Sequence, residues 1–413
     1  MNLLLKNAML VTPDEIKKRN VLIKNKVIEK ISGDEIECGS ETEIIDICGN
    51  YISAGFIDLH SHLRDPGYTH KEDIKSGTKS AVKGGFTTVL CMPNTKPSID
   101  NAETIEEIYG KSKCGGYCNV LSVGAITLSQ EGKVLTDFAL LKKAGAIALS
   151  DDGKPVGSSA LMREAFIKAK ENDMLIISHC EDLELVQADY VSNSAEDVIT
   201  ARDIILAGET GARLHIAHVS SGNSVDFIEW AKNKGYRITA ETCPHYFSLT
   251  DRDAEKIGVN AKMNPPLRSG KDREKIIESI KGGIIDCIST DHAPHAYYEK
   301  CEETNDWQKA MNGITGFETA FAVGVTYLVK PGIISLNKLI NLMTANPAKI
   351  IGIDSMKGQL EEGMSADIAV FSTDEKYIYD RAKTYSKSKN TPYDGFELYG
   401  KILYTIVNGK ITI

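Results

Sequence analysis

Nowhere in these 413 residues is there an unbroken apolar run of about 18 residues, the length a helix needs to cross a bilayer, so no membrane-spanning segment is expected. A surplus of positive charge is also lacking. Lys and Arg number 48 against 57 Asp and Glu, and a formal charge of −9 excludes the basic surface that non-specific nucleic-acid binding uses to displace counterions. The nine cysteines include no Cys-x-x-Cys pair, and an odd, scattered set reads as reduced thiols. Cys114 and Cys118 could supply half a metal site, but no second half follows. Met1 to Asn7 is too short and too soon interrupted by Lys6 to be the apolar core of a signal peptide, so a cytoplasmic protein is expected.

What is present is an ordinary globular composition, 42% apolar and 25% charged. The length exceeds the usual single core, although an eight-fold α/β barrel takes about 250 residues as one domain. A barrel plus a smaller unit is therefore expected. Any anionic substrate would have to be caught by a local arginine, because the net charge offers no long-range attraction.

Residues 1–52 read as short strands, Leu3–Val11, Asn20–Lys24, Val27–Ile31 and Ile44–Ile47, separated by turn residues and without a helical period. From residue 53 to about 350 the pattern becomes strand then helix, repeated. After a first strand ending near His62, the apolar runs Phe86–Cys91, Val120–Ile126, Ala146–Ser150, Met174–His179, Arg213–His218, Tyr236–Glu241 and Ile284–Ser289 complete a set of eight. Each is followed by a helix-compatible segment, such as Ser158–Glu171, Ser194–Gly211 and Lys271–Gly282. Such alternation predicts a (β/α)8 TIM barrel with its active site at the C-terminal ends of the strands. Residues 351–413 turn to strands again (Asp367–Phe371, Ile402–Val407, Lys410–Ile413), so both termini are expected to build one small accessory β-domain. Lys383 to Lys389, rich in serine, reads by default as a solvated loop.

The stretch Gly55 to Gly67 organises the chain. Residues i and i+2 of a strand point the same way, which predicts Asp58, His60, His62 and Arg64 on one face and Ile57, Leu59 and Leu63 on the other. Two imidazoles on alternate residues can reach one zinc-like ion, although two hydrogen-bonded buried histidines would read the same way. Further candidate ligands fall at later strand ends: Asp152 after the fourth, His179 at the fifth, His218 at the sixth and Asp291 at the eighth. Asp58, one layer deeper, could accept a hydrogen bond from a ligand imidazole or pair with another buried polar group. Arg64 could clamp a carboxylate with two parallel hydrogen bonds; the bland alternative is a salt bridge to Asp65 or Glu72. His215 lies three residues before His218 and so is expected on the opposite, helix-facing side as a hydrogen-bonded structural histidine, with Leu214 and Ile216 filling the His218 face. His70 and His245 are read as structural too, and His292 as pointing away from the site.

The stretch Gly55 to Gly67 resembles the first-strand signature of the dihydroorotases within the amidohydrolase superfamily. Met92-Pro93-Asn94-Thr95, Ser150-Asp151-Asp152-Gly153, Ser178-His179-Cys180-Glu181, Ala217-His218-Val219-Ser220, Met263-Asn264-Pro265-Pro266-Leu267-Arg268 and Thr290-Asp291-His292-Ala293-Pro294-His295 resemble its later signatures in the same order. The match spans nearly the whole chain. The resemblance implies one or two Zn2+ ions per subunit, with His60, His62 and Asp291 on one, His179 and His218 on the other, and Asp152 as the bridge where related enzymes often use a carbamylated lysine. Asp152 is preferred to Asp151, which would cap the following loop. The resemblance further implies that Arg64, Asn94 and His295 hold a substrate carboxylate, with Asn264 in the seventh loop as another substrate contact. Asn390-Thr391-Pro392 also recurs in the family.

The activity implied is the reversible conversion of dihydroorotate and N-carbamoyl-L-aspartate in pyrimidine biosynthesis. Water acidified by the metals would attack the ring carbonyl, with Asp291 acting as base and then as acid. A homodimer is implied, and association with aspartate transcarbamoylase is a further expectation. Two departures from the family stand out: a short connection between His179 and His218, and Ala310-Met311-Asn312-Gly313 in place of Ala-Pro-aromatic-Gly in the loop over the substrate. A hydantoinase or allantoinase would share most ligands, but Arg64, Asn94 and His295 favour a substrate with its own carboxylate. An inactive, partner-organising subunit is disfavoured by retention of every ligand.

Overall fold

The computed structural model describes residues 2–187 and 190–412, and a parallel barrel lies at its centre. Its strands, numbered β1 to β8 in chain order, are Phe56–Ser61, Phe86–Cys91, Asn119–Ala125, Ala148–Ser150, Leu175–Ser178, Arg213–Ile216, Ile238–Thr242 and Cys287–Ile288. They lie side by side in sequence order, each pair parallel. The ring closes just beyond β8, where Ser61 bridges His292 and the His62 amide donates to the His292 carbonyl at 2.9 Å. This is the (β/α)8 barrel that the alternation predicted.

Local chemistry sets the helix ends. Asp73, Asn101, Ser158 and Ser269 accept from the backbone amides that open Ile74–Lys83, Ala102–Gly115, Ser159–Glu171 and Gly270–Gly282. Gly283, at φ 82°, ends the last of these in the left-handed conformation that glycine adopts without penalty.

The barrel separates two apolar layers. Ile176, Leu214, Ile216 and Ala240 pack outward with helix residues such as Phe166, Ile204 and Ile228. Leu90, Val123, Ala148, Ile177 and Cys287 fill the interior, against Ala348 and Ile351 of the helix Ala345–Ile351. Ile57 and Leu59 belong to this interior group, which corrects the expectation of an apolar face opposite His60 and His62. The register between β1 and β2 shifts between Asp58 and Ser61, so strict alternation is lost just where His60 and His62 follow.

Both termini form a second, eight-stranded sheet, as expected. Its order is Lys410–Ile411, Glu397–Val407, Ile368–Ile378, Tyr51–Ala54, Asn2–Val11, Ile16–Lys24, Val27–Ser32, with Thr42–Asp46 also paired to Asn2–Val11. Tyr51–Ala54, a strand not anticipated from the sequence, joins the two halves by pairing with Asn2–Val11 on one side and Ile368–Ile378 on the other. Leu3, Leu5, Val21, Ile52, Ile368 and Ile406 form the core beneath it. Gly55 carries the chain from this sheet into the barrel, and a Cβ there would lie 2.1 Å from the Thr87 side chain. Ile413, assigned from sequence to the last strand, lies outside the described residues. Among those described, no helix is long and apolar enough to cross a membrane.

The segment before Asn390 is not a solvated loop. Ser386, Ser388 and Asn390 are buried. Ser388 Oγ donates to the Lys71 carbonyl at 2.7 Å, and Asn390 Nδ2 donates to the Gly313 carbonyl at 2.9 Å. Serine and asparagine here satisfy backbone groups of the barrel-mouth loops, which explains polar composition in a buried strap.

Candidate metal centre

Four imidazoles converge on one carboxylate at the C-terminal mouth of the barrel. Asp152 Oδ1 lies 3.1 Å from His60 Nε2, 3.4 Å from His179 Nδ1 and 3.7 Å from His218 Nε2, while Oδ2 lies 3.5 Å from His62 Nε2. Asp291 Oδ1 faces His62 Nε2 at 3.1 Å and His60 Nε2 at 3.8 Å. Ligand atoms of His60, Asp152 and His218, and of His60, His62 and Asp291, each fall within 4.8 Å of one another. Two ion-sized groups thus share His60.

The backbone delivers these side chains in different ways. His60 lies on β1, whereas His62, Asp152 and His179 follow the ends of β1, β4 and β5. β6 stops at Ile216, and His218 turns toward the mouth through a left-handed residue, φ 36°; Asp291 is likewise left-handed, φ 45°. Strain of this kind is costly for residues with a Cβ and clusters at functional sites. Of the adjacent aspartates, Asp151 faces away, accepting from the Ile126 amide at 2.8 Å and the Thr127 amide at 3.1 Å.

Electrostatics bind the cluster together. Burial opposes ionisation of Asp152, but His60, His179 and His218 outweigh it and hold the carboxyl well below its ordinary range. Asp291 is held down to about 2, where His62 and the neighbouring imidazoles overcome burial. Burial lowers the pKa of His62, with the Arg64 charge adding to the effect. The residues fit a divalent ion. His60 Nε2 is buried without a hydrogen bond, and the donors are imidazole and carboxylate without thiolate, a set suited to zinc.

A cavity of about 500 Å³ opens above the cluster, lined by His62, Arg64, Asn94, Asn264, Asp291 and His295 among others. Arg64 is buried, and its hydrogen bonds go to neutral groups: Nε to the Pro294 carbonyl at 3.2 Å and Nη2 to His295 Nε2 at 3.3 Å. The alternative salt bridges are not made. Asp65 pairs with Lys111 at 2.5 Å, and Glu72 accepts from Ser76 and Ser386. Asn94 accepts from His62 Nδ1 at 2.9 Å and donates to Asp152 Oδ2 at 3.2 Å, so it also orients the cluster. Asn264 Nδ2 donates to Glu181 at 3.0 Å, and that carboxylate faces His179 Nε2 at 3.4 Å.

Some placements differ from expectation. His215 pairs laterally with Ile177 and Thr239 and shares the barrel interior with Ile177, while Leu214 and Ile216 face the helices. Counting alternation back from His218 inverted the strand, because His218 lies beyond its end. Asp58 accepts from the Thr290 amide at 2.8 Å and Thr290 Oγ1 at 2.6 Å, so it pairs with a buried polar group. The partner of His60 Nδ1 is Glu241 Oε1, at 3.0 Å. Sequence reasoning missed Glu241, although an acidic residue near the end of a barrel strand was a usable signal. His292 faces Glu72 and stacks on Phe317, away from the site. His70 lies 3.3 Å from Glu299, and His245 is buried against Tyr246 with its Nε2 unbonded.

Residues 51–412 match the family described as Amidohydrolase family. The chain is 47% identical to a protein of Ruminiclostridium cellulolyticum named dihydroorotase, covering 99% of this chain and 98% of that one. A dihydroorotase of Aquifex aeolicus is 44% identical over 100% of this chain and 99% of its own. Among solved structures, an L-hydantoinase (dihydropyrimidinase) from Arthrobacter aurescens superposes with a TM-score of 0.93 at 26% identity, covering 99% of this chain and 95% of that one.

Proposed function

The chain belongs to the amidohydrolase family and, within it, to the dihydroorotases, and from that premise we propose that its barrel mouth interconverts dihydroorotate and N-carbamoyl-L-aspartate around one or two zinc ions. His60, His62 and Asp291 would hold one ion, His179 and His218 the other, and Asp152 would bridge them. When bound, such ions supply Lewis acidity and acidify water. Asp291 takes the proton lost by the attacking water and returns it to the ring nitrogen as the amide C–N bond breaks. Run backwards, the same transfers close the ring.

Arg64 carries the choice of substrate. Its buried charge has no carboxylate partner among the described residues, and it lines the cavity beside the imidazole cluster. A ring bearing its own carboxylate supplies that partner, with His295, Asn94 and Asn264 around it. Hydantoin has no such group. The hydantoinase likeness nevertheless makes hydantoin the proper competitor. The test is to assay purified protein on dihydroorotate and hydantoin and to analyse the same sample for metals. Turnover of dihydroorotate with one or two zinc ions per chain is the expected result; preferential turnover of hydantoin overturns the substrate assignment.

The same proposal includes a cytoplasmic homodimer able to associate with aspartate transcarbamoylase. It also divides the chain into a barrel over 53–350 and an accessory domain from 1–52 and 351–413. The second sheet, built from both ends of the chain, supports that division. Sedimentation with and without the transcarbamoylase tests the assembly.

A further inference from the structure

Beneath the metal centre, inside the barrel, lies a polar cluster that the chemistry above does not use. Glu241 on β7 is fully buried, as are His215 on β6 and Ser289 just after β8. Glu241 Oε1 faces His60 Nδ1 at 3.0 Å, and Oε2 faces His215 Nε2 at 3.2 Å while accepting from Ser289 Oγ. His215 Nδ1 in turn lies 2.8 Å from Thr239 Oγ1.

We propose that Glu241, steadied by His215 and Ser289, is a positioning residue that fixes the tautomer and ring orientation in which His60 can bind metal. An ionised carboxylate only accepts hydrogen bonds, so a neutral His60 beside it carries its proton on Nδ1. Nε2 is then left as a lone pair directed at Asp152 and Asp291, the atoms with which it would share an ion. The same rule places the His215 proton on Nε2, toward Glu241, and leaves Nδ1 to accept from the Thr239 hydroxyl. Glu241 thus receives donors from His60 and Ser289, with His215 Nε2 close by at 3.2 Å, which offsets the cost of burying its charge. Because the carboxylate is held through its other oxygen by Ser289, the imidazole cannot rotate without leaving a buried charge short of a donor.

His215, Glu241 and Cys287 also bring ligand atoms within 4.8 Å of one another, close enough for an ion of their own. Both Glu241 oxygens are already occupied by donors, however, and all three residues are fully buried. Positioning is therefore favoured over a further metal site.

This inference rests on His60 being a metal ligand, and the experiment separates the two claims. Zinc affinity is measured by competition with a chromophoric chelator for wild type, Glu241→Gln, Ser289→Ala and His60→Ala, with zinc content at saturation and thermal unfolding of the chelated proteins. Glu241→Gln should bind zinc about tenfold to a hundredfold more weakly. Its saturated zinc content should equal that of wild type, and its chelated form should melt close to wild type. Ser289→Ala, which keeps the carboxylate but removes one of its donors, should shift affinity the same way by less, and it carries the test if Glu241→Gln does not fold. Unchanged affinity in either folded variant overturns the inference. So does one fewer ion at saturation in Glu241→Gln with the remainder bound normally, which would make the cluster a metal site. Wild-type zinc content and affinity in His60→Ala would overturn the ligand assignment itself.

Discussion

Arg64 donates through Nη2 to His295 Nε2 at 3.3 Å, a contact that requires the imidazole to be neutral at that nitrogen. Burial, aided by the charges of Arg64 and Lys71, holds the His295 pKa down to about 3, so the ring accepts throughout the working range. The guanidinium is thereby fixed beside the cavity. Truncating one partner of a buried charged hydrogen bond costs about 2–5 kcal/mol, or roughly 30-fold to several thousand-fold in kcat/KM. Arg64→Ala should lose that much on dihydroorotate while retaining its metals, and wild type should prefer dihydroorotate to hydantoin by a comparable margin. Kinetics on both substrates check it; an Arg64→Ala enzyme with normal dihydroorotate turnover refutes the clamp.

The adjacent aspartates should behave oppositely. Asp152→Asn removes the charge that faces His60, His62, His179 and His218, so metal content and turnover should both fall sharply. Asp151→Asn touches only the loop at Ile126 and Thr127. It should keep its metal and cost about 1–3 kcal/mol of stability. Metal analysis and thermal unfolding of the two variants decide the matter, and equal metal loss in both would remove Asp152 from its bridging role.

The candidate ligands were legible because barrel topology sends strand ends to one mouth, and His60, His62, Asp152, His179, His218 and Asp291 all fall there. It failed where local alternation stopped applying. His215 was assigned to the wrong side because β6 ends at Ile216 and His218 turns in through positive φ. Glu241 was passed over for another reason: its place near a strand end was the one local hint, and its role depends on contacts with His60, His215 and Ser289 on other elements. The strap at Ser386 to Asn390 looked like surface because polar side chains bonded to buried backbone have the composition of a solvated loop.

Lys300 ties down the loop that departs from the family pattern. It is fully buried, and Nζ donates to the carbonyls of Met311 at 2.8 Å, Lys262 at 2.9 Å and Gly313 at 3.0 Å. Met311 and Gly313 line the cavity above the imidazole cluster. Lys300→Met removes a donor from all three carbonyls, although Gly313 keeps Asn390 and Lys262 keeps the Gly313 amide, and should destabilise the fold by about 1–3 kcal/mol. KM for dihydroorotate should rise more than kcat falls, since the metal cluster is untouched. Unchanged KM and melting temperature would mean that the loop holds itself.

Asp291→Asn preserves size but removes the carboxylate, 3.1 Å from His62 Nε2, that is proposed to carry the proton. General acid–base groups contribute about 10²–10⁴ in rate, and a weakened metal ligand adds to the loss. Turnover within a few-fold of wild type, measured at saturating zinc, would exclude Asp291 as the base.

Metal binding should be coupled to proton release. In the metal-free protein, burial works against charge on His179, but hydrogen bonds to Asp152 and Glu181 outweigh it and raise the pKa from 6.5 to about 10. The sign follows directly: the folded pKa lies above the unfolded one, so this group's stabilisation is complete below pH about 6.5 and is lost as pH climbs through about 10. His60 shifts in the same direction, burial again being outweighed by Asp152 and Glu241. An ion on these nitrogens must displace their protons, so zinc affinity should increase about tenfold per pH unit for each proton displaced within that window. Competition titrations at pH 6.5 and 8.5, with proton release followed in weakly buffered solution, measure both quantities. Glu181→Gln removes one of the groups that hold the His179 proton, so it should lessen the proton release while leaving the ligand set intact. Affinity independent of pH, with no proton released, would mean that the metal-free imidazoles are neutral and that Asp152 and Glu181 do not hold them charged.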